Sequence, residues 1–158
     1  MNHEGRSTAH CSNRSGRHWC TFPTAGPPRL EPIREAVETG PPPLGPTTPP
    51  QQRVPALLDA LLCFKLDNRR LSLALEESGS GSPYQAEHYA RWHGLLEAVL
   101  DQIPGLTGND FTAHALLAAV RADLVEHLAG QEGVPQERMR TQLADFTAGV
   151  LGPGSREG

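Results

Sequence analysis

Histidine and cysteine are the residue types in this 158-residue chain best suited to hold a metal or to carry nucleophilic chemistry; there are seven and three of them. His10, Cys11, His18 and Cys20 lie close together. Their spacings match neither C-x2-C nor H-x3-H, the tight steps that let four side chains converge on one zinc ion. His88 and His93 stand five apart, so on a helix they leave by different faces. The spacing therefore predicts no metal ligand set. No H-E-x-x-H, nucleophile elbow or glycine-rich phosphate loop occurs, so no catalytic residue and no cofactor are expected. What remains is an aromatic group: Tyr89, Trp92 and His93, joined by Phe64, Phe111 and His114 from neighbouring segments. Ligand pockets are mostly apolar with a few placed polar groups, and this set suits the lining of a pocket for a small hydrophobic effector. Trp92 and Phe111 would serve equally well as ordinary core, and both readings stay open.

Helices must position these residues, because the apolar pattern from Val54 onward repeats at three and four. Leu57, Leu58, Leu61, Leu62, Phe64 and Leu66 give a wide face, with Pro55 in the first turn. After the charged cluster Lys65, Asp67, Asn68, Arg69 and Arg70, the helix either runs on to Glu77 or bends near Asp67 and Asn68. Asp67, Arg69 and Arg70 read as a solvated face with helix-stabilising ion pairs. "SGSGSP" (78–83) ends this segment. A second helix, about Tyr84 to Gln102, places Tyr89, Trp92, Leu96, Val99 and Ile103 on one face and stops at Pro104-Gly105. A third, "DFTAHALLAAVRADLVEHLAG", is capped by Asn109 or Asp110, closed by Gly130, and apolar on two sides. A fourth begins near Pro135 and repeats Met139, Leu143, Phe146 and Val150, with Arg138, Arg140 and Asp145 outside. The expected fold is all-α, a bundle of about four helices over residues 54–151.

Composition separates that bundle from what precedes it. Residues 1–53 hold ten of the 15 prolines and show no periodicity, which predicts a disordered or extended Pro/Gly-rich segment with at most one helical turn near Ile33 to Glu38. Residues 152–158 read as a disordered tail. Charge divides the same way: six basic against four acidic residues in 1–53, and eight against 14 in 54–158. The acidic remainder lacks the basic patch that a nucleic-acid grip requires. Nothing approaches a membrane span or a signal peptide, and the unpaired cysteine pattern suits a reducing compartment, so a cytoplasmic location is expected.

The bundle's size also bears on partners. About 98 residues give a single core only marginal stability. The third and fourth helices carry more apolar face than a four-helix monomer covers. A two-fold homodimer is therefore expected, with Leu117, Leu124, Leu128, Met139, Leu143, Phe146 and Val150 at its interface. The narrow seam on the fourth helix fits an antiparallel neighbour, either helix three or a second copy.

Three consecutive segments carry a resemblance. "LLCFKLDNRRLSLALEE", "SPYQAEHYARWH" and "DFTAHALLAAVRADLVEHL" together resemble the C-terminal half of TetR (tetracycline-repressor-like) transcriptional regulators, over residues 54–151. The resemblance implies a ligand-binding and dimerisation domain whose last two long helices form the dimer interface. It also implies an N-terminal helix-turn-helix that reads DNA in the major groove. "GRHWCTFPT" (16–24) is similar to the end of that family's recognition helix at Gly16, Phe22, Pro23 and Thr24, with Trp19 in place of a tyrosine. Yet Pro27-Pro28 and Pro41 to Pro43 fall where the family has its next helix. Residues 1–53 thus read as a replaced or frame-shifted reader, and the chain is expected to dimerise without binding DNA specifically. The alternative is a helical interaction module that works by heterodimerisation, with no role for DNA.

Overall fold

The computed structural model describes residues 30–77 and 87–152, and among these residues every regular element is helical. In chain order the helices are α1 (Glu31–Thr39), α2 (Pro50–Asp67), α3 (Arg69–Glu77), α4 (Glu87–Leu100), α5 (Asn109–Ala118), α6 (Ala122–Glu126), a π-helical turn (His127–Gln131) and α7 (Gln136–Leu151). The expected all-α class is observed. The expected four helices become six because two of them break, and α1 ahead of them makes seven.

The centre of the fold is α2. Val54, Leu57, Leu58, Ala60, Leu61, Leu62 and Cys63 are all buried, so the helix is apolar around most of its circumference, as a helix covered on several sides must be. It packs against α1, α3, α4, α6 and α7. It starts at Pro50, one turn earlier than the periodicity indicates, which puts Pro55 inside the helix. The missing N–H leaves the carbonyl four residues back, on Gln51, without its helical donor. Gln51 is exposed, where water replaces the donor.

The proline-rich segment ahead of residue 54 is a correction to the expectation of disorder over 1–53, as far as residues 30–53 are concerned. Its one expected helical turn is a nine-residue helix, α1, with Ile33 and Val37 one turn apart and buried against α2. Leu44 is buried as well. Arg53, only 6% exposed, explains how a proline-rich stretch is held. Its Nε donates to the Leu44 carbonyl (3.1 Å) and its Nη2 to the Val37 carbonyl (2.8 Å), both of which are buried from water. Gly45 lies so close to the Gly40 carbonyl that a Cβ there would clash with it. Composition hides this arrangement because proline removes periodicity without preventing packing. Residues 1–29, including His10, Cys11, His18, Cys20 and "GRHWCTFPT", lie outside the described residues, as do 78–86 and 153–158.

Two breaks divide the helices expected to be continuous. Asn68 adopts φ −131°, ψ 46° between α2 and α3, and both its backbone N–H (3.0 Å) and its side-chain amide (2.9 Å) donate to the Phe64 carbonyl. The bend near Asn68 is thus the outcome, rather than a helix running straight to Glu77. The third expected helix stops at Ala118, turns through an extended Arg121 and resumes as α6. Its N-cap is Gly108 in the left-handed conformation (φ 69°), with no side-chain cap from Asn109 or Asp110.

On α7, Met139, Leu143 and Thr147 are buried at successive steps of four. Within the chain their main packing partner is α2. Arg140, expected on the outer face, instead forms a two-pronged ion pair with Asp59 of α2 at 2.7 and 2.8 Å.

Candidate functional site

A cavity of about 60 Å³ lies between the helices, walled by Leu61 and Lys65 of α2, Leu75 and Glu76 of α3, His88, Tyr89 and Trp92 of α4, Leu117 of α5, and by Leu30 and Arg121. That volume holds a few water molecules or one compact small molecule, and it is well below the ~300–1,000 Å³ typical of drug-sized pockets. Its walls are largely apolar, with polar groups from Lys65 of α2, Glu76 of α3, His88 of α4 and Arg121.

Those polar groups form a clamp on the break between α5 and α6. Lys65 Nζ lies 2.6 Å from Glu76 Oε1 and donates to the Val120 carbonyl at 2.5 Å. Glu76 Oε2 accepts the Ala122 N–H at 2.8 Å. Breaking a helix exposes backbone donors and acceptors that need partners, and this ion pair supplies one of each. Arg121, at the break itself, pairs with Asp123 (2.9 and 3.0 Å). Burial pulls the Lys65 ammonium below its usual range, and the Glu76 carboxylate pulls it partly back. Desolvation, and then the Lys65 charge, lower the His88 imidazole in the same way.

Behind the cavity wall, α4 and α5 run side by side and bring four side chains together. Tyr89 and His93 are one turn apart on α4, and Asp110 and His114 one turn apart on α5. The His93 and His114 rings stack at 3.9 Å between centroids. Tyr89 Oη lies 2.6 Å from His114 Nδ1. Asp110 Oδ1 lies 3.1 Å from His93 Nε2 and 3.7 Å from His114 Nε2. One ligand-capable atom from each of His93, Asp110 and His114 falls within 4.8 Å of the others.

The six expected pocket residues therefore divide. Tyr89 and Trp92 line the cavity. His93 and His114 belong to the stacked cluster, which touches the cavity through Tyr89. Phe64 packs, partly buried, against the core. Phe111 is 78% exposed and lines nothing. Lys65, Glu76, His88 and Arg121 are not among the residues expected at a pocket; in the sequence Lys65 reads only as part of a charged cluster and His88 only as a possible ligand beside His93. The expected dimer residues divide too. Leu117, Met139 and Leu143 are buried within the chain, while Leu128 and Val150 are partly covered by the core. Leu124 and Phe146 stay exposed.

No protein-family model, curated protein or solved structure matches this chain. Among the described residues no helix is long and apolar enough to cross a membrane.

Proposed function

We propose that this chain is the effector-binding and dimerisation part of a transcription regulator of TetR type, working in the cytoplasm and unable to bind DNA sequence-specifically by itself. The observation that carries the reading is the cavity walled by Trp92, Tyr89, Leu61 and Leu117, with its polar end at Lys65, His88 and Arg121. A small, mostly apolar molecule with one polar end suits it. Such a molecule would touch α2, α3, α4 and α5 together. Its affinity would then differ between two arrangements of these helices, which is the requirement for shifting a regulator between states. The three sequence segments similar to TetR regulators span the same helices, and exposed Phe146 and Leu124 offer apolar surface for a second copy.

Trp92 reports directly on the cavity once Trp19, the other tryptophan, is replaced by phenylalanine. Titration of that variant with benzene, indole and benzoate should give a saturable emission change with at least one probe. The same probe should also shift the amide signals of the cavity walls in protein-observed NMR, and those shifts should vanish in Leu61→Trp, which fills the space. No saturable change with any probe, or one that survives filling, would count against the reading. Tight, sequence-selective binding in a gel shift by the purified chain would overturn its DNA clause. The same exposed side chains also suit pairing with a longer relative, and co-purification of the two chains is the observation that would favour heterodimerisation.

A further inference from the structure

We infer that His93, Asp110 and His114 form a binding site for a first-row divalent transition cation of the zinc class, a site independent of the regulator reading. Both Nε2 atoms converge on Asp110 Oδ1, at 3.1 and 3.7 Å. Tetrahedral coordination at bonds of about 2.0–2.1 Å sets neighbouring ligand atoms about 3.3 Å apart, and these two separations bracket that figure. The Nδ1 atoms turn the other way: His114 Nδ1 is within hydrogen-bond distance of Tyr89 Oη at 2.6 Å, while His93 Nδ1 faces the Glu97 carboxylate at 3.8 Å, beyond direct hydrogen bonding. A metal-bound histidine typically uses its second nitrogen to donate to an oxygen, which fixes the tautomer that leaves the first nitrogen's lone pair for the metal.

The ligand chemistry narrows the cation. Two imidazoles and one carboxylate favour zinc, cobalt, nickel or iron over magnesium and calcium, which prefer all-oxygen sets. Three protein ligands leave at least one position for water or a small ligand. His93 Nε2 also lies 3.0 Å from the Asp110 carbonyl, a hydrogen bond that metal binding would replace. Spacing within one helix cannot show this site, since His93 is on α4, Asp110 and His114 are one turn apart on α5, and the two histidines lie 21 residues apart in sequence. The cation would tie α4 to α5 and, through His114, fix the hydroxyl of Tyr89, a wall of the cavity.

The test uses the full chain, tag-free and chelator-treated, titrated with Co2+ and followed by its visible d–d absorption. One equivalent should bind, and Zn2+ should displace it, as the order of divalent affinities requires. His93→Gln and His114→Gln should each weaken binding by at least about 100-fold, and Tyr89→Phe by about tenfold, in line with the effect of losing an outer partner. Asp110→Asn keeps the inference falsifiable if a histidine variant misfolds, because Asp110 is 73% exposed and its loss should spare the fold while abolishing tight binding. No Co2+ binding, binding unchanged in Asp110→Asn and the histidine variants, or thiolate charge-transfer bands from cysteine ligation would each overturn it.

Discussion

Two polar clusters lie on either side of Tyr89, and they use their charges differently. In the clamp, Lys65 and Glu76 bond each other and then the Val120 carbonyl and the Ala122 N–H, so their bonding is directed at the chain itself. In the histidine cluster, two ring nitrogens and a carboxylate oxygen crowd toward one point at the surface. The first arrangement explains how a helix is broken without stranding its backbone. The second gives the backbone little and is suited to an added ligand. A polar group in a helical domain is thus better judged by the direction of its bonds than by its burial.

Substitutions in the two clusters should differ in cost. The largest effect is expected from a group of the clamp's kind. Arg53→Met strands the Val37 and Leu44 carbonyls and should cost about 3–4 kcal/mol in urea denaturation, since each unsatisfied buried acceptor costs about 1–3 kcal/mol. Lys65→Met leaves Glu76 partly buried and unpaired and should cost about 2–3 kcal/mol, less than for a fully buried pair because both side chains keep some solvent contact. Asp110→Asn, in the other cluster, should change stability by no more than about 0.5 kcal/mol without metal. A cost as large as that of Lys65→Met would erase the contrast.

The smallest effect is in pH. The His88 imidazole is held below its usual range, so between its folded and unfolded values the unfolded chain binds more protons. Stability should therefore fall as pH drops from about 7 toward 5, and His88→Gln should flatten that slope in thermal melts.

Much of the helical framework was legible in the sequence, and the reasons for the exceptions are physical. Trp92, Leu96 and Val99 mark the buried face of α4 because a three-and-four repeat is what one packed helix face produces, and Ile103 is buried in the turn just beyond it. The bend at Asn68 was one of two open outcomes, and the local capping bonds to Phe64 decide it. The break at Val120 left no such signal, because its cause is the Lys65–Glu76 pair, remote in sequence. Residues 30–53 were hidden for the same reason, since Arg53 satisfies carbonyls nine and 16 residues away. Of the site, Tyr89 and Trp92 were legible as aromatics on one helix. The pairing of His93 with His114 depends on how α4 lies against α5, which no spacing within either helix encodes.

The proposal that this chain is one half of a paired regulator meets its most direct test in sedimentation equilibrium over a range of concentrations. A reversible dimer is expected, one that Phe146→Ser weakens while leaving the helical signal intact, because Phe146 is 46% exposed and Met139 and Leu143 already serve the chain's own core. A chain that stays monomeric at every concentration, or a dimer indifferent to Phe146 and Leu124, would contradict it.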